Sequence, residues 1–213
     1  MRGVKYYASW RHFSGFASLY VRKGVFELFM KHMNPTEQTK ILDVGVTGDL
    51  VNHADNYFEE LYPWPQNITA LGVEDASYLE SKYPGLKFIK ADGKKIPFGD
   101  KSFDIVFSSA TAEHVGSRDN QQQFINEIMR VGKKVFVTTP DRFFPIEVHT
   151  GIPLLHWLPV SIYRKILKSV GLDFFSREEN LNLLSKKDFS GLFNDKAVVI
   201  KRKIVSLVAI KNT

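Results

Sequence analysis

Short apolar runs broken by glycine or proline alternate along this chain with stretches of helical spacing. Phe13, Phe16, Ala17 and Tyr20, and then Phe26, Phe29, Met30 and Met33, recur at helix intervals, so residues 1–33 are predicted helical, ended by Asn34-Pro35. Ile41, Leu42 and Val44 form a buried-strand run over about 40–45, stopped by the Gly45 and Gly48 turn. A helix over about 50–61 follows, then strands over Ile68–Val73 and Leu86–Ile89 flanking a short helix at 76–83. Phe103–Ser108 is a fourth strand and Val135–Thr138 a fifth. Between them, Phe124, Ile125, Ile128 and Met129 make one face of a helix over 117–130, with Ser117 to cap it and Gly132 to close it. Strand-helix alternation of this kind predicts a doubly wound, parallel α/β sheet. A helix over 161–170, ended by Gly171, precedes two strands, Ala197–Ile200 and Ile204–Ile210, expected around a basic turn.

At 213 residues the chain is read as a single domain with four parts. These are a helical cap at 1–37, a core at 38–140, an insert at 141–170 and C-terminal strands at 171–213. There is no cysteine, which excludes disulfides, thiolate nucleophiles and thiolate zinc sites. Met1–Tyr20 lacks the uninterrupted apolar core of a signal peptide, and no stretch approaches the ~18 apolar residues of a membrane span. A cytoplasmic protein is expected. The net charge of +6 is dispersed; its longest cluster is Lys201-Arg202-Lys203. It reads first as a solvated basic surface, and second as attraction for an anionic small substrate or membrane surface.

The chemistry concentrates where strands end. A strand, a glycine turn and a helix start make a nucleotide-sized corner in open α/β sheets. Asp43 sits inside the first apolar run, where a carboxylate is costly without a partner. Glu74 ends the second strand, where it can accept both hydroxyls of a ribose. Asp92 follows the third, where it can accept from an adenine amine beside the Gly93 backbone. A nicotinamide dinucleotide would need a fuller Gly-x-Gly-x-x-Gly fingerprint; Thr47 fills the second glycine position and no third glycine follows. S-adenosylmethionine has no pyrophosphate and needs less cradling.

These stretches resemble the class I S-adenosylmethionine-dependent methyltransferases, of the type 11-like group that includes the quinone-biosynthesis C-methyltransferases. The resemblance rests on Ile41-Leu-Asp-Val-Gly45, Gly72-Val-Glu74, Ala91-Asp-Gly through Pro97-Phe98 to Phe103-Asp104, Glu113-His114-Val115, Arg130-Val131 and the strand through Thr138. It covers about residues 38–140. It implies a Rossmann-like seven-stranded sheet, mostly parallel with an antiparallel C-terminal strand and helices on both faces, with S-adenosyl-L-methionine as cofactor. Asp43, Gly45, Thr47, Gly48, Glu74, Asp92, Gly93 and Ser109 are the expected cofactor-binding residues. Two departures stand out. The glycine motif, Asp43-Val-Gly45-Val-Thr47-Gly48, is one residue or one glycine shorter than the family's usual forms. Gly132 is followed by Lys133-Lys134 in place of two glycines.

Methyl transfer by in-line displacement draws rate from alignment, and a hydroxyl acceptor also needs a base. His114, after the fourth strand, and His149, in the insert, are the expected catalytic residues; His156, Asp141 and Glu147 are weaker candidates. Glu147, His149 and His156 are irregularly spaced, and no metal site is assigned. Asp104 is read as structural because it opens a strand. The apolar insert reads as core, as a lid, or as a patch for peripheral membrane contact. The expected acceptor is a small molecule, a glycan or a lipid-linked saccharide, methylated on a hydroxyl oxygen. A nucleic-acid acceptor is disfavoured, because Ser108-Ser-Ala-Thr-Ala does not resemble the signature of base N-methylation. The alternatives are a non-catalytic cofactor-fold binding protein and a nicotinamide-dependent oxidoreductase.

Overall fold

The structure is a computed structural model that describes residues 19–48 and 56–212. The sequence readings at 1–18 and at 49–55 lie outside the described residues. Helix α1 occupies 19–33. It is followed by β1 (Ile41–Val44), α2 (Tyr57–Leu61), β2 (Ile68–Gly72), α3 (Tyr78–Lys82) and β3 (Lys87–Lys90). Next come β4 (Phe103–Ser109), α4 (Arg118–Val131), β5 (Gly132–Pro140), α5 (Val160–Ser169), α6 (Asp173–Ser176), α7 (Lys186–Gly191), β6 (Val199–Lys203) and β7 (Ser206–Lys211). One seven-stranded sheet has the order β3-β2-β1-β4-β5-β7-β6. The first five strands are parallel, and β7 pairs antiparallel with both β5 and β6. This is the expected Rossmann-like sheet.

Period-two alternation divides the core between the two faces of the sheet. Leu42, Val106, Val135, Val137, Leu207 and Ala209 pack with Phe124, Ile125 and Ile128 of α4 and Phe189 of α7. Ile41, Ile105, Phe107, Phe136, Val208 and Ile210 point the other way, onto Val25, Phe29 and Met33 of α1 and Phe58 of α2. Phe29 meets Phe58, Phe107 and Phe136 edge-on, with centroids 5.0, 5.4 and 5.5 Å away. Edge-to-face contacts of this kind add about 0.5–1.5 kcal/mol each beyond the area they bury. By the same alternation Asp43 leaves the α4 face that Leu42 and Val44 occupy and enters the α1/α2 face.

Several sequence expectations are met locally. Ser117 Oγ accepts from the Asn120 amide at 3.3 Å and caps α4. Asp104 accepts from the Lys40 amide at 3.0 Å and from Lys133 Nζ at 2.8 Å, so it ties strand starts together. Arg130 donates to the carbonyls of Ile96 and Phe98 and to Asp100, which fastens the Pro97-Phe98 loop to α4. One expectation is corrected. The basic residues Lys201-Arg202-Lys203 lie within edge strand β6, and the turn is Ile204-Val205. Gly132 closes α4 as expected, its amide donating to the Ile128 carbonyl, and with the same extended backbone it opens β5. Helices α6 and α7 were not foreseen.

Candidate functional site

A cavity of about 640 Å³ opens at the carboxyl ends of β1–β4. Strand order lays the loop residues out in space. Asp92 follows β3, Glu74 follows β2, Gly45 follows β1, Ser109 ends β4 and His114 follows it. All five line the cavity, together with Asp43, Thr47 and Gly93. Because β2 and β4 flank β1 on opposite sides, the cavity sits at the point where strand order reverses, where open α/β sheets bind ligands.

The glycine turn is built for close approach. Gly45 has φ +113°, and a Cβ there would strike the Thr111 side chain. Its amide and that of Val46 donate to the Leu71 carbonyl at 2.8 and 3.2 Å, which locks the turn to β2. Gly48 stands outside the cavity lining; a Cβ on it would strike the Asp75 carbonyl, so its role is packing of the turn against the loop after β2. A Cβ on Gly93 would run into the Phe124 ring, which keeps that wall thin. Thr47 donates to Glu74 Oε2 at 3.3 Å, and its backbone is gripped by Asn56 through bonds of 3.0 and 2.8 Å. Glu74 is exposed at the mouth. Asp92 accepts from the Lys94 amide at 2.8 Å, as an Asx turn does, and keeps one face to the cavity. Ser109 Oγ accepts from the Tyr57 hydroxyl at 3.0 Å and stands 3.1 Å from Thr138 Oγ1.

Asp43 is buried, and its neighbour is a second acid, Glu59 of α2, which is 1% exposed. Among the described residues neither Glu59 oxygen receives a hydrogen bond from a donor group. Burial, and then repulsion from Glu59, pushes the Asp43 carboxyl well up. Burial likewise pushes Glu59 up, to about 7. Two buried carboxyls in contact cannot both ionise cheaply, so the pair retains one shared proton near neutrality. Arg22 of α1 also lines this wall and lies over the Tyr57 ring at 5.4 Å.

Beyond β4 a second constellation gathers. A short turn, Ala112–His114, is held to the 180–182 segment by the Asn182 amide, which donates to the Glu113 carbonyl at 2.7 Å, and by Gln121, which bridges the Ala112 and Asn182 carbonyls. His114 Nδ1 donates to the Asn180 carbonyl at 2.6 Å. His149 Nδ1 donates to Glu147 Oε1 at 2.7 Å. The two imidazoles meet edge-on at 4.8 Å. Glu113 is fully buried: Oε2 accepts from Thr139 at 2.9 Å, whereas Oε1 has no hydrogen-bond partner among the described residues and stands 3.9 Å from Nε2 of each histidine. Burial opposes charge on His149, but Glu147 and then Glu113 outweigh it and raise its pKa. Burial also opposes charge on Glu147, but His149 and the amides of His149 and Thr150 hold it down at about 2. Burial lowers the pKa of His114, whose side chain is nevertheless 36% exposed, so solvent moderates the effect.

The cavity thus brings together all the expected cofactor-facing residues except Gly48, and adds His114. His149 lies one ring further out. His156 is buried with Nε2 donating to the Phe144 carbonyl at 2.8 Å, a structural placement. Asp141 pairs with Arg202 at 2.6 Å. Sequence reasoning passed over Glu59 and Asn180. It saw Glu113 only as part of a family motif.

S-adenosylmethionine fits this chain on structural grounds. The cavity is large enough, the Gly45 and Gly93 backbones line it, and acceptors stand at the ends of three neighbouring strands. The family model for the methyltransferase domain matches residues 42–135. No curated protein gives a significant match. Among solved structures, the chain is similar to an S-adenosylmethionine-dependent methyltransferase of Methanosarcina mazei, at 17% identity, covering 85% of this chain and 96% of that one with a TM-score of 0.55. It is similar to the PH0226 protein of Pyrococcus horikoshii, at 19% identity, covering 90% and 89% with a TM-score of 0.58. It is also similar to the magnesium protoporphyrin IX methyltransferase of Synechocystis with bound S-adenosylhomocysteine, at 13% identity, covering 92% and 83% with a TM-score of 0.54. At these identities the likeness speaks for the fold, and the match over 42–135 speaks for the family. Residues 42–135 match the methyltransferase domain, in a chain with the fold of S-adenosylmethionine-dependent methyltransferases.

Proposed function

We propose that the chain methylates a hydroxyl oxygen of a small-molecule, glycan or lipid-linked saccharide acceptor, and that the acceptor enters beside His114 and His149. The observation that carries this reading is the His114 tautomer. A carbonyl oxygen can only accept, so Nδ1 of His114 must hold a proton toward Asn180, which leaves the Nε2 lone pair available on the cavity wall. Bound S-adenosylmethionine supplies an electrophilic methyl group on a sulfonium.

The chain's own residues do the rest. Glu74 accepts from the ribose hydroxyls, Asp92 from the adenine amine, and Asp43 faces the ammonium group. Gly45 and Gly93 let the backbone come close, Thr47 holds Glu74, Gly48 packs the turn, and Ser109 with Tyr57 shapes the wall between cofactor and acceptor. His114 Nε2 takes the hydroxyl proton, and Glu113 lies 3.9 Å away to offset the charge that results. His149, fixed by Glu147, positions that pair. The insert at 141–170 forms the acceptor side; Phe143, Val148, Leu154 and Trp157 are exposed on it, and peripheral membrane contact with a lipid-linked acceptor is consistent with that surface. Among the described residues no helix is long and apolar enough to cross a membrane. A cytoplasmic location fits a chain with no cysteine.

His114→Ala and His149→Ala should each lower turnover while S-adenosylhomocysteine affinity stays within about twofold. Loss of a positioned base is worth roughly 10²–10⁴ in rate. Full turnover of either variant, measured on a hydroxylated acceptor found by screening, would move the base elsewhere.

A further inference from the structure

We propose that Glu113, His114 and His149 form a binding site for one divalent first-row transition-metal ion at the acceptor end of the cavity. Their ligand atoms lie within 4.8 Å of one another. Both imidazoles have Nδ1 committed outward, to the Asn180 carbonyl and to Glu147, so both turn Nε2 inward. A carboxylate or carbonyl on the far nitrogen is the arrangement that fixes tautomer and ring direction in metal-bound histidines. Glu113 Oε1 completes the set. Among the described residues it is buried and partnerless, and it stands 3.9 Å from each Nε2, too far for a hydrogen bond. A buried carboxylate oxygen left without a donor is costly, and a cation among these three atoms removes that cost.

The donor set selects the ion. Two imidazoles and one carboxylate suit zinc, cobalt, nickel, iron or manganese over magnesium and calcium, which prefer all-oxygen ligands. Bonds of about 2.0–2.2 Å place neighbouring ligands roughly 3–3.5 Å apart, so loading draws the three side chains inward by no more than about 1.5 Å. Three protein ligands leave coordination positions for an outside oxygen. His114 is the ligand that also lines the cofactor cavity, so an acceptor hydroxyl has a route to that position. In the loaded site both histidines would be ligands, and coordination would lower the pKa of a bound hydroxyl so that its proton passes to solvent water. The site deepens the acceptor reading above, but ion binding does not require that reading to hold. The set differs from the Glu147, His149 and His156 combination visible in the sequence, because Glu147 binds His149 from outside and His156 faces Phe144.

The full-length protein, stripped with chelator, is titrated with Co²⁺ and followed by visible absorption and calorimetry. Wild type should bind one equivalent with new d–d bands. His114→Ala and His149→Ala should abolish the bands, and Glu147→Gln should weaken binding about 10–100-fold. S-adenosylhomocysteine affinity, measured on the same samples, should be unchanged and reports that the variants are folded. No stoichiometric binding by wild type, or equal binding by His114→Ala and His149→Ala, would overturn the site. Stoichiometric binding with no O-methylated product from any hydroxylated acceptor would leave the metal site standing and overturn only the acceptor reading.

Discussion

Carboxylates are buried at two places beside this cavity, and their neighbours give them opposite fates. On the β1 side Asp43 meets another acid, Glu59, and the pair keeps a proton. On the β4 side Glu147 meets His149 and stays ionised down to about 2. Burial is nearly the same in both: Asp43 and Glu59 are 5% and 1% exposed, Glu147 2%. The partner decides the charge state, because desolvation penalises every buried carboxylate and only an imidazole or a set of amide donors offsets it. The first arrangement holds a shared proton on the β1 wall of the cavity. The second fixes an imidazole on the β4 side.

The strongest way to break this contrast is at Glu147. Glu147→Gln removes one member of a buried pair and should cost on the order of 3 kcal/mol, read as a lowered urea midpoint. Glu59→Gln, at an equally buried position, should be neutral or stabilising at pH 8, since it removes a charge that the fold resists. Equal losses in the two variants would mean that burial alone governs both sites. Glu74 sharpens the comparison from outside, because it is exposed and has little desolvation to overcome. Glu74→Ala should leave unfolding unchanged and weaken S-adenosylmethionine binding by about 1.5–3 kcal/mol, roughly ten- to a hundredfold, as expected for hydrogen bonds to a charged group. Unchanged affinity by calorimetry would remove Glu74 from the ribose site.

A further effect is in pH. The folded state holds Glu59 protonated up to about 7, against 4.5 for an ordinary glutamate. Between those values the native chain binds more protons than the unfolded one, so the pair's contribution to stability is complete below about 4.5 and is lost as pH rises through 7. Wild-type stability should therefore fall across that window relative to Glu59→Gln. Parallel profiles of the two proteins would show that the carboxyls do not share a proton.

The two walls also differed in how far the sequence revealed them. Asp43, Glu74 and Asp92 each follow or end a strand whose apolar run is visible, so the sheet carries them to one edge and their convergence could be read ahead. The acceptor wall is assembled from the 113–114 turn, the 147–149 loop and a backbone carbonyl at 180. No periodicity links these segments, and a carbonyl carries no residue-type signal. Glu59 was hidden for another reason: it lies on a short helix whose apolar face, Tyr57 and Phe58, also buries the acid beside it. Helices α6 and α7 span four and six residues, too few for a 3.6-residue period to register. The alternation in β6 was obscured by consecutive basic residues on an edge strand, where exposure tolerates charge at positions a central strand would bury.

An X-ray structure of the S-adenosylhomocysteine complex tests the central claim most directly, namely that cofactor and acceptor occupy opposite walls of one cavity. The account predicts the ribose hydroxyls on Glu74, the adenine beside Asp92 and Gly93, and the sulfur pointing past Ser109 toward His114. A sulfur facing the Asp92 end, with His114 and His149 remote from it, would contradict the account.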